Sequence, residues 1–326
     1  MTPRLSIVIP FYNVEKHIAE CLDSVYNQDI PEDEYEVICV NDASPDHSRD
    51  IVLEYRKKHS NLILIEHEVN KKLGAARNTG RRVARGKYLW NVDSDDMIAP
   101  NCMKEMLETC EENDLDLLLF CFDIYSNGHL IERKRPWEEL SKPCTGLEFW
   151  KMQVIPHQGE ISQVWTQIYR RDFLDEKRIF SPAINMAEDE SYTYSSFLQS
   201  RALFIVNKAY YIYRQNPASL TSSLKKVPTP SALYEESYTA SLLLYRLIAL
   251  IPSNEQSIRQ SIKNVIQYKL NNAWKVMHIM SSDSITSYRL LCLKDFFSNL
   301  FVFRVLNHRQ LLQYLRFLFF CMPPAQ

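Results

Sequence analysis

Four short polar stretches hold the residue types that could do chemistry. Asp93-Ser94-Asp95-Asp96 puts three carboxylates within four residues, and Glu188-Asp189-Glu190 puts three in a row. Carboxylates this close repel one another, and a cation relieves the repulsion. Hard divalent ions such as Mg²⁺ take one or two carboxylates together with substrate phosphates, so the first cluster suits an ion shared with a phosphorylated ligand. The plainer account of the same acids is a helix N-cap ahead of Pro100. The other two stretches are Pro10-Phe11-Tyr12-Asn13 and Asn41-Asp42-Ala43-Ser44. Both follow short apolar runs, as Asp93 does.

Those runs belong to a regular alternation. Leu5 to Ile9, Glu36 to Val40, Leu62 to Ile65, Lys87 to Val92 and Leu115 to Ile124 read as strands. Between them, Ile18, Cys21, Leu22 and Val25 recur at helical spacing, and further helices are expected around Ile51 to Tyr55, Gly74 to Arg85 and Cys102 to Glu112. Such alternation predicts an α/β fold, a mostly parallel sheet with helices on both faces. Ligands of open α/β sheets bind beyond the carboxyl ends of the strands, where the polar stretches fall. Residues 128–146 read as loops. Trp165 to Phe173 and Ser191 to Leu198 read as helices, and Leu203 to Val206 and Tyr210 to Tyr213 as strands. Leu224 to Ser231 carries two prolines and reads as a linker, so the α/β domain is expected to end near Ser223, with a helical region over 224–326.

Composition excludes several classes. The chain has 326 residues, with 38 basic and 40 acidic ones, and lacks the basic excess of a nucleic-acid protein. It contains no G-x-G-x-x-G and no Walker phosphate loop. Eight scattered cysteines with no C-x-x-C pair suggest free thiols and a reducing cytoplasm. No run of eighteen apolar residues reads as a membrane span.

With these residues in order, the chain resembles the family 2 glycosyltransferases, inverting nucleotide-sugar enzymes of the GT-A fold. The matching motifs are Val8 to Asn13, Val40 to Asp46, Gly74 to Gly80 and Val92 to Asp96; Glu188-Asp189-Glu190, Tyr213-Arg214 and Ser219-Leu220-Thr221 match more loosely. The resemblance covers about residues 4–223. It implies a Rossmann-like nucleotide-binding half over about 1–125 and an acceptor-binding half over about 126–223. It implies that Asp42 contacts the nucleotide base in a pocket shaped by Pro10 and Tyr12, with Asp93 near the ribose and Arg77 near the nucleotide. It further implies that Asp95 ligates a divalent cation (Mn²⁺ or Mg²⁺) on the diphosphate, and that Asp189 is the general base. The donor it implies is a nucleotide-sugar, most often a UDP-sugar. The acceptor is a glycan or lipid-linked saccharide of surface polysaccharide assembly. Two family glycines are replaced, by Ala43 and by Lys72.

The residue types suit that chemistry independently. A leaving diphosphate develops negative charge that a cation neutralises. A sugar hydroxyl attacks well only when a carboxylate takes its proton, worth roughly 10²–10⁴-fold. A nucleotidyltransferase, or a binding subunit that has lost turnover, would use a similar acidic sheet edge. Arg81, Arg82, Arg85 and Lys87 read as a solvated helix face, and Trp165 and Tyr169 as core positions on a helix. From Ser284 onward, Arg289, Lys294, Arg304, Arg309 and Arg316 face a single Asp295 amid dense aromatics. That mixture suits peripheral contact with an anionic membrane, or packing on the protein or a second subunit.

Overall fold

The structure is a computed structural model that describes residues 2–126, 128–156, 163–182, 188–215 and 241–277. The Ser219-Leu220-Thr221 motif, the expected linker and the basic aromatic tail lie outside the described residues.

The strands β1 (Leu5–Phe11), β2 (Tyr35–Asn41) and β4 (Tyr88–Asn91) are buried along their whole length, and β3 (Leu62–Glu66) covers the edge beside β2. Continuous apolar runs of this kind suit parallel strands covered on both faces. The helices α1 (Ile18–Tyr26), α2 (Ser48–Lys58) and α4 (Met103–Glu112) share a core with Leu5, Ile7, Ile9 and Phe11 of β1. On the opposite face lies α3 (Leu73–Val83). Its Gly80 sits so close that a Cβ there would fall 2.4 Å from Val8 Cγ1. A side chain at this position would push α3 off the sheet.

The sheet has nine strands: beyond β3, β2, β1 and β4 the order continues with β8 (Gln167–Arg170), β6 (Leu117–Ser126), β9 (Leu203–Arg214) and β5 (Met97–Ile98), with β7 (His129–Lys134) paired on β6. It is parallel from β3 to β4 and mixed beyond. There β8 runs antiparallel between β4 and β6, while β9 runs parallel to β6. The short β5 runs antiparallel to β9.

Three local expectations change here. The stretch from Trp165 to Phe173 is a 3₁₀ turn over Val164–Thr166, then β8, then α6 (Arg171–Glu176). Residues 128–146 include a strand, β7 (His129–Lys134), exposed throughout and followed by α5 (Gly146–Phe149). The two strands expected between Leu203 and Tyr213 are one, bent by register shifts near Cys121. The helix α7 (Glu188–Gln199) starts at the second acidic cluster.

The chain forms two compact units, Met1–Ser222 and Ser223–Gln326. In the second, residues 241–247 are helical and a long helix runs Gln256–Met277, burying Ile258, Ile262 and Ile266 at one-turn spacing. Among the described residues no helix is long and apolar enough to cross a membrane. The six described cysteines are free, and five are buried.

Candidate active site

The parallel strands deliver their first loop residues side by side. Phe11 of β1 pairs with Asn41 of β2, which pairs with Glu66 of β3. One residue further, the ladder continues as the Asp42 N–H donates to the Phe11 carbonyl (3.0 Å) and the His67 N–H to that of Asn41 (2.9 Å). Tyr12, Asp42 and His67 thus form a row along the carboxyl edge. Tyr12 is exposed and Pro10 is buried beneath the edge. Asp42 is buried, with Oδ1 accepting from His67 Nδ1 (2.7 Å) and from the Lys71 N–H (2.8 Å).

A second set converges on Arg77 of α3, whose side chain is 3% exposed. Its Nη2 donates to Asp93 Oδ1 (2.9 Å), and its Nη1 to Asp189 Oδ1 (2.5 Å) and Glu188 Oε1 (3.3 Å). One guanidinium therefore ties the end of β4 to the start of α7, whose Asp189 lies 112 residues beyond Arg77 itself. Burial opposes the guanidinium charge, but Asp189, Asp93 and Glu188 more than reverse that and hold it protonated. Burial pushes the Asp93 carboxyl up although Arg77 draws it down. Burial and the neighbouring Asp189 push Glu188 well above the carboxylate range.

The acids at the β4 end separate into different environments. Asp93 is engaged by Arg77. Asp96 is buried, with Oδ2 accepting from the Tyr211 hydroxyl (2.8 Å) and Oδ1 from the Arg214 N–H (2.7 Å). Burial, then Asp95 and Asp93, push it well above its ordinary range. The Tyr211 hydroxyl also accepts from the Asp93 N–H (3.1 Å), so one phenol braces both ends of the turn. Asp95 is half-buried, and its carbonyl accepts from Arg214 Nε (3.1 Å). Among the described residues no group of three or more acids, histidines or cysteines could alone hold a metal ion.

Sequence reasoning missed His67, Tyr211 and the bridging position of Arg77. The signal for His67 was available, because it follows the third strand as Tyr12 and Asp42 follow the first two. Trp165 is a core residue as expected, but it lies in the 3₁₀ turn rather than on an α-helix; it stacks on Tyr211 (centroids 4.4 Å apart) and Tyr213 (5.7 Å), supporting the brace. Arg81 is not solvated: it is buried and bonded to Asp175 (2.6 Å) and the Ile179 carbonyl.

The profile of the family described as Glycosyl transferase family 2 matches residues 6–176, more than half of the chain. The chain belongs to that family. This glycosyltransferase is 33% identical over 247 residues to EpsJ of Bacillus subtilis, an uncharacterized glycosyltransferase, covering 75% of this chain and 70% of that one. It is also 33% identical over 212 residues to a poly(ribitol-phosphate) β-glucosyltransferase of Bacillus spizizenii, covering 64% of this chain and only 32% of that longer one. The crystal structure of S. aureus TarS 1-349 in complex with UDP-GlcNAc superposes with a TM-score of 0.72 at 24% identity, covering 96% and 86% of the two chains. At that identity the likeness establishes the fold, which is GT-A.

Proposed function

We propose that this glycosyltransferase moves a hexosyl or N-acetylhexosaminyl unit from a UDP-sugar to a hydroxyl of a cell-surface or lipid-linked glycan, with inversion. One observation carries the reading: Asp93 and Asp189, far apart in sequence, meet on Arg77 at the sheet edge that also carries Asp42 and Asp95. A nucleotide lying along that edge would meet Asp42 at its base and Asp93 at its ribose, with Pro10 and Tyr12 flanking the base. The donor class is supported by TarS, crystallised with UDP-GlcNAc and with UDP. The acceptor class is supported by relatives named as poly(ribitol-phosphate) glycosyltransferases and as a minor teichoic acid biosynthesis protein.

The residues fit a divalent ion held jointly with the diphosphate. The half-buried Asp95 carboxylate is a hard oxygen donor in the turn that it shares with Asp93 and Asp96. One carboxylate with substrate phosphates is an ordinary set for Mg²⁺ or Mn²⁺. When bound, the ion supplies neutralisation of the leaving diphosphate. Asp189 accepts the proton of the attacking hydroxyl, and Arg77 fixes the orientation of its carboxylate. A single base opposite the leaving group gives direct displacement, hence inversion, by the geometry that governs glycosidases.

Calorimetric titration with UDP, GDP and CDP, with and without Mn²⁺, tests the donor site. The expected result is Mn²⁺-dependent binding of UDP that Asp95→Ala abolishes. Equal UDP affinity in Asp95→Ala would remove Asp95 from metal binding. No binding of any nucleotide would favour a non-catalytic subunit.

A further inference from the structure

We infer that His67 is a positioning residue for nucleobase recognition, fixing one oxygen of Asp42 so that the other is presented to an N–H of the base. The inference rests on the reading of Asp42 as the base contact and deepens it.

Asp42 is buried, so its carboxylate must find donors within the protein or the ligand. Both donors supplied among the described residues, His67 Nδ1 and the Lys71 N–H, converge on Oδ1. Oδ2 accepts nothing from the described residues. A carboxylate only accepts, so Nδ1 carries the imidazole proton in this pair. Nε2 lies 3.0 Å from Thr79 Oγ1, and with the ring proton on Nδ1 it accepts a hydrogen bond from that hydroxyl. The imidazole is thus pinned between β2 and α3, and it pins Asp42 in turn. The Asp42 backbone is equally fixed through the Phe11 carbonyl. Neither the chain nor the side chain is left to rotate.

An oriented, acceptor-only oxygen discriminates between bases. Uracil and guanine each present a ring N–H on their pairing edge, whereas cytosine presents a bare ring nitrogen there and would be repelled. A site built around a hydrogen bond rejects a ligand that cannot make it far more strongly than an apolar pocket could. His67 would therefore act on base selectivity and on the KM for donor, leaving the chemical step at saturation alone.

The test measures calorimetric affinities for UDP and CDP, with Mn²⁺ present, in wild type, His67→Leu, His67→Asn and Asp42→Asn, with thermal melting as the folding control. His67→Leu is expected to weaken UDP about tenfold, the value of one charge-assisted hydrogen bond, and to compress the UDP-to-CDP preference. His67→Asn, which can still donate from its amide, is expected to recover most of both. In transfer assays kcat should stay within about twofold while KM rises. If Asp42→Asn loses UDP and His67→Leu does not, the positioning inference is overturned and the base contact stands. If Asp42→Asn also binds UDP normally, the base contact itself fails. Equal losses of UDP and CDP in His67→Leu, with no rescue by asparagine, would make His67 merely structural. Should His67→Leu not fold, Thr79→Val tests the same anchor, and an unchanged UDP-to-CDP ratio there would overturn the inference.

Discussion

Around Arg77, three carboxylates share one buried guanidinium, and the surplus negative charge sets how the site responds to pH and mutation. Burial and the neighbouring Asp189 push Glu188 well above the ordinary carboxylate range, so it keeps a proton where a free carboxylate has lost one. A carboxyl raised in the folded state contributes stability that is present below its unfolded pKa and is lost as pH rises through the folded one. Glu188→Gln keeps an acceptor for Arg77 Nη1 and sheds the charge. Its melting temperature is therefore expected to exceed that of wild type at pH 8, with the gain vanishing toward pH 4; a pH-independent difference would refute the assignment. Asp189 plays another part in the same cluster. Asp189→Asn should keep UDP affinity within a few fold, yet lose roughly 10²–10⁴-fold in turnover as the proton acceptor disappears. Near-normal turnover would move the base elsewhere.

At the scale of elements, two of the non-glycine residues at positive φ stand in turns beside the candidate site. Ala43, after β2, has φ 61°, and Lys72, just before α3, has φ 74° and ψ 159°. Both are positions where the family usually has glycine, and the backbone has kept the glycine conformation. Such conformations cost an L-residue of order 1–3 kcal/mol, partly offset by the flexibility glycine adds to the unfolded chain. Lys72→Gly is accordingly expected to raise the melting temperature by about 2–4 °C, and Ala43→Gly by somewhat less. A drop in either would mean that the turn is not strained. The same elements explain what was legible in the sequence. The parallel half could be read because each strand is a local apolar run and each loop follows directly, which exposed Asp42, Asp93 and Asp95. The other half could not, because β8 is four residues long and owes its place to β4 and β6, and β7 carries no buried face. Tyr211 and Arg77 act through partners more than a hundred residues away, a distance no spacing rule spans.

For the whole molecule, the near-neutral charge of −2 conceals an uneven distribution. The candidate site is acidic, while the sequence beyond Ser284 carries five basic residues against one acid among many aromatics. An acceptor on a lipid carrier must be met at a membrane surface, and we propose that this tail brings the enzyme there. Basic residues near an anionic bilayer contribute about 1 kcal/mol each, and buried aromatic and aliphatic area adds to that. The full chain is therefore expected to sediment with phosphatidylserine-containing liposomes and not with purely zwitterionic ones, and to be released as salt shortens the Debye length. A chain truncated after Asp283 should stay in the supernatant while binding UDP with unchanged affinity, because the nucleotide-edge residues all precede Ser222. If the full chain ignores anionic liposomes, the basic aromatic tail has another partner. If truncation instead abolishes UDP binding, the tail supports the catalytic unit and packing, rather than lipid, explains its aromatics.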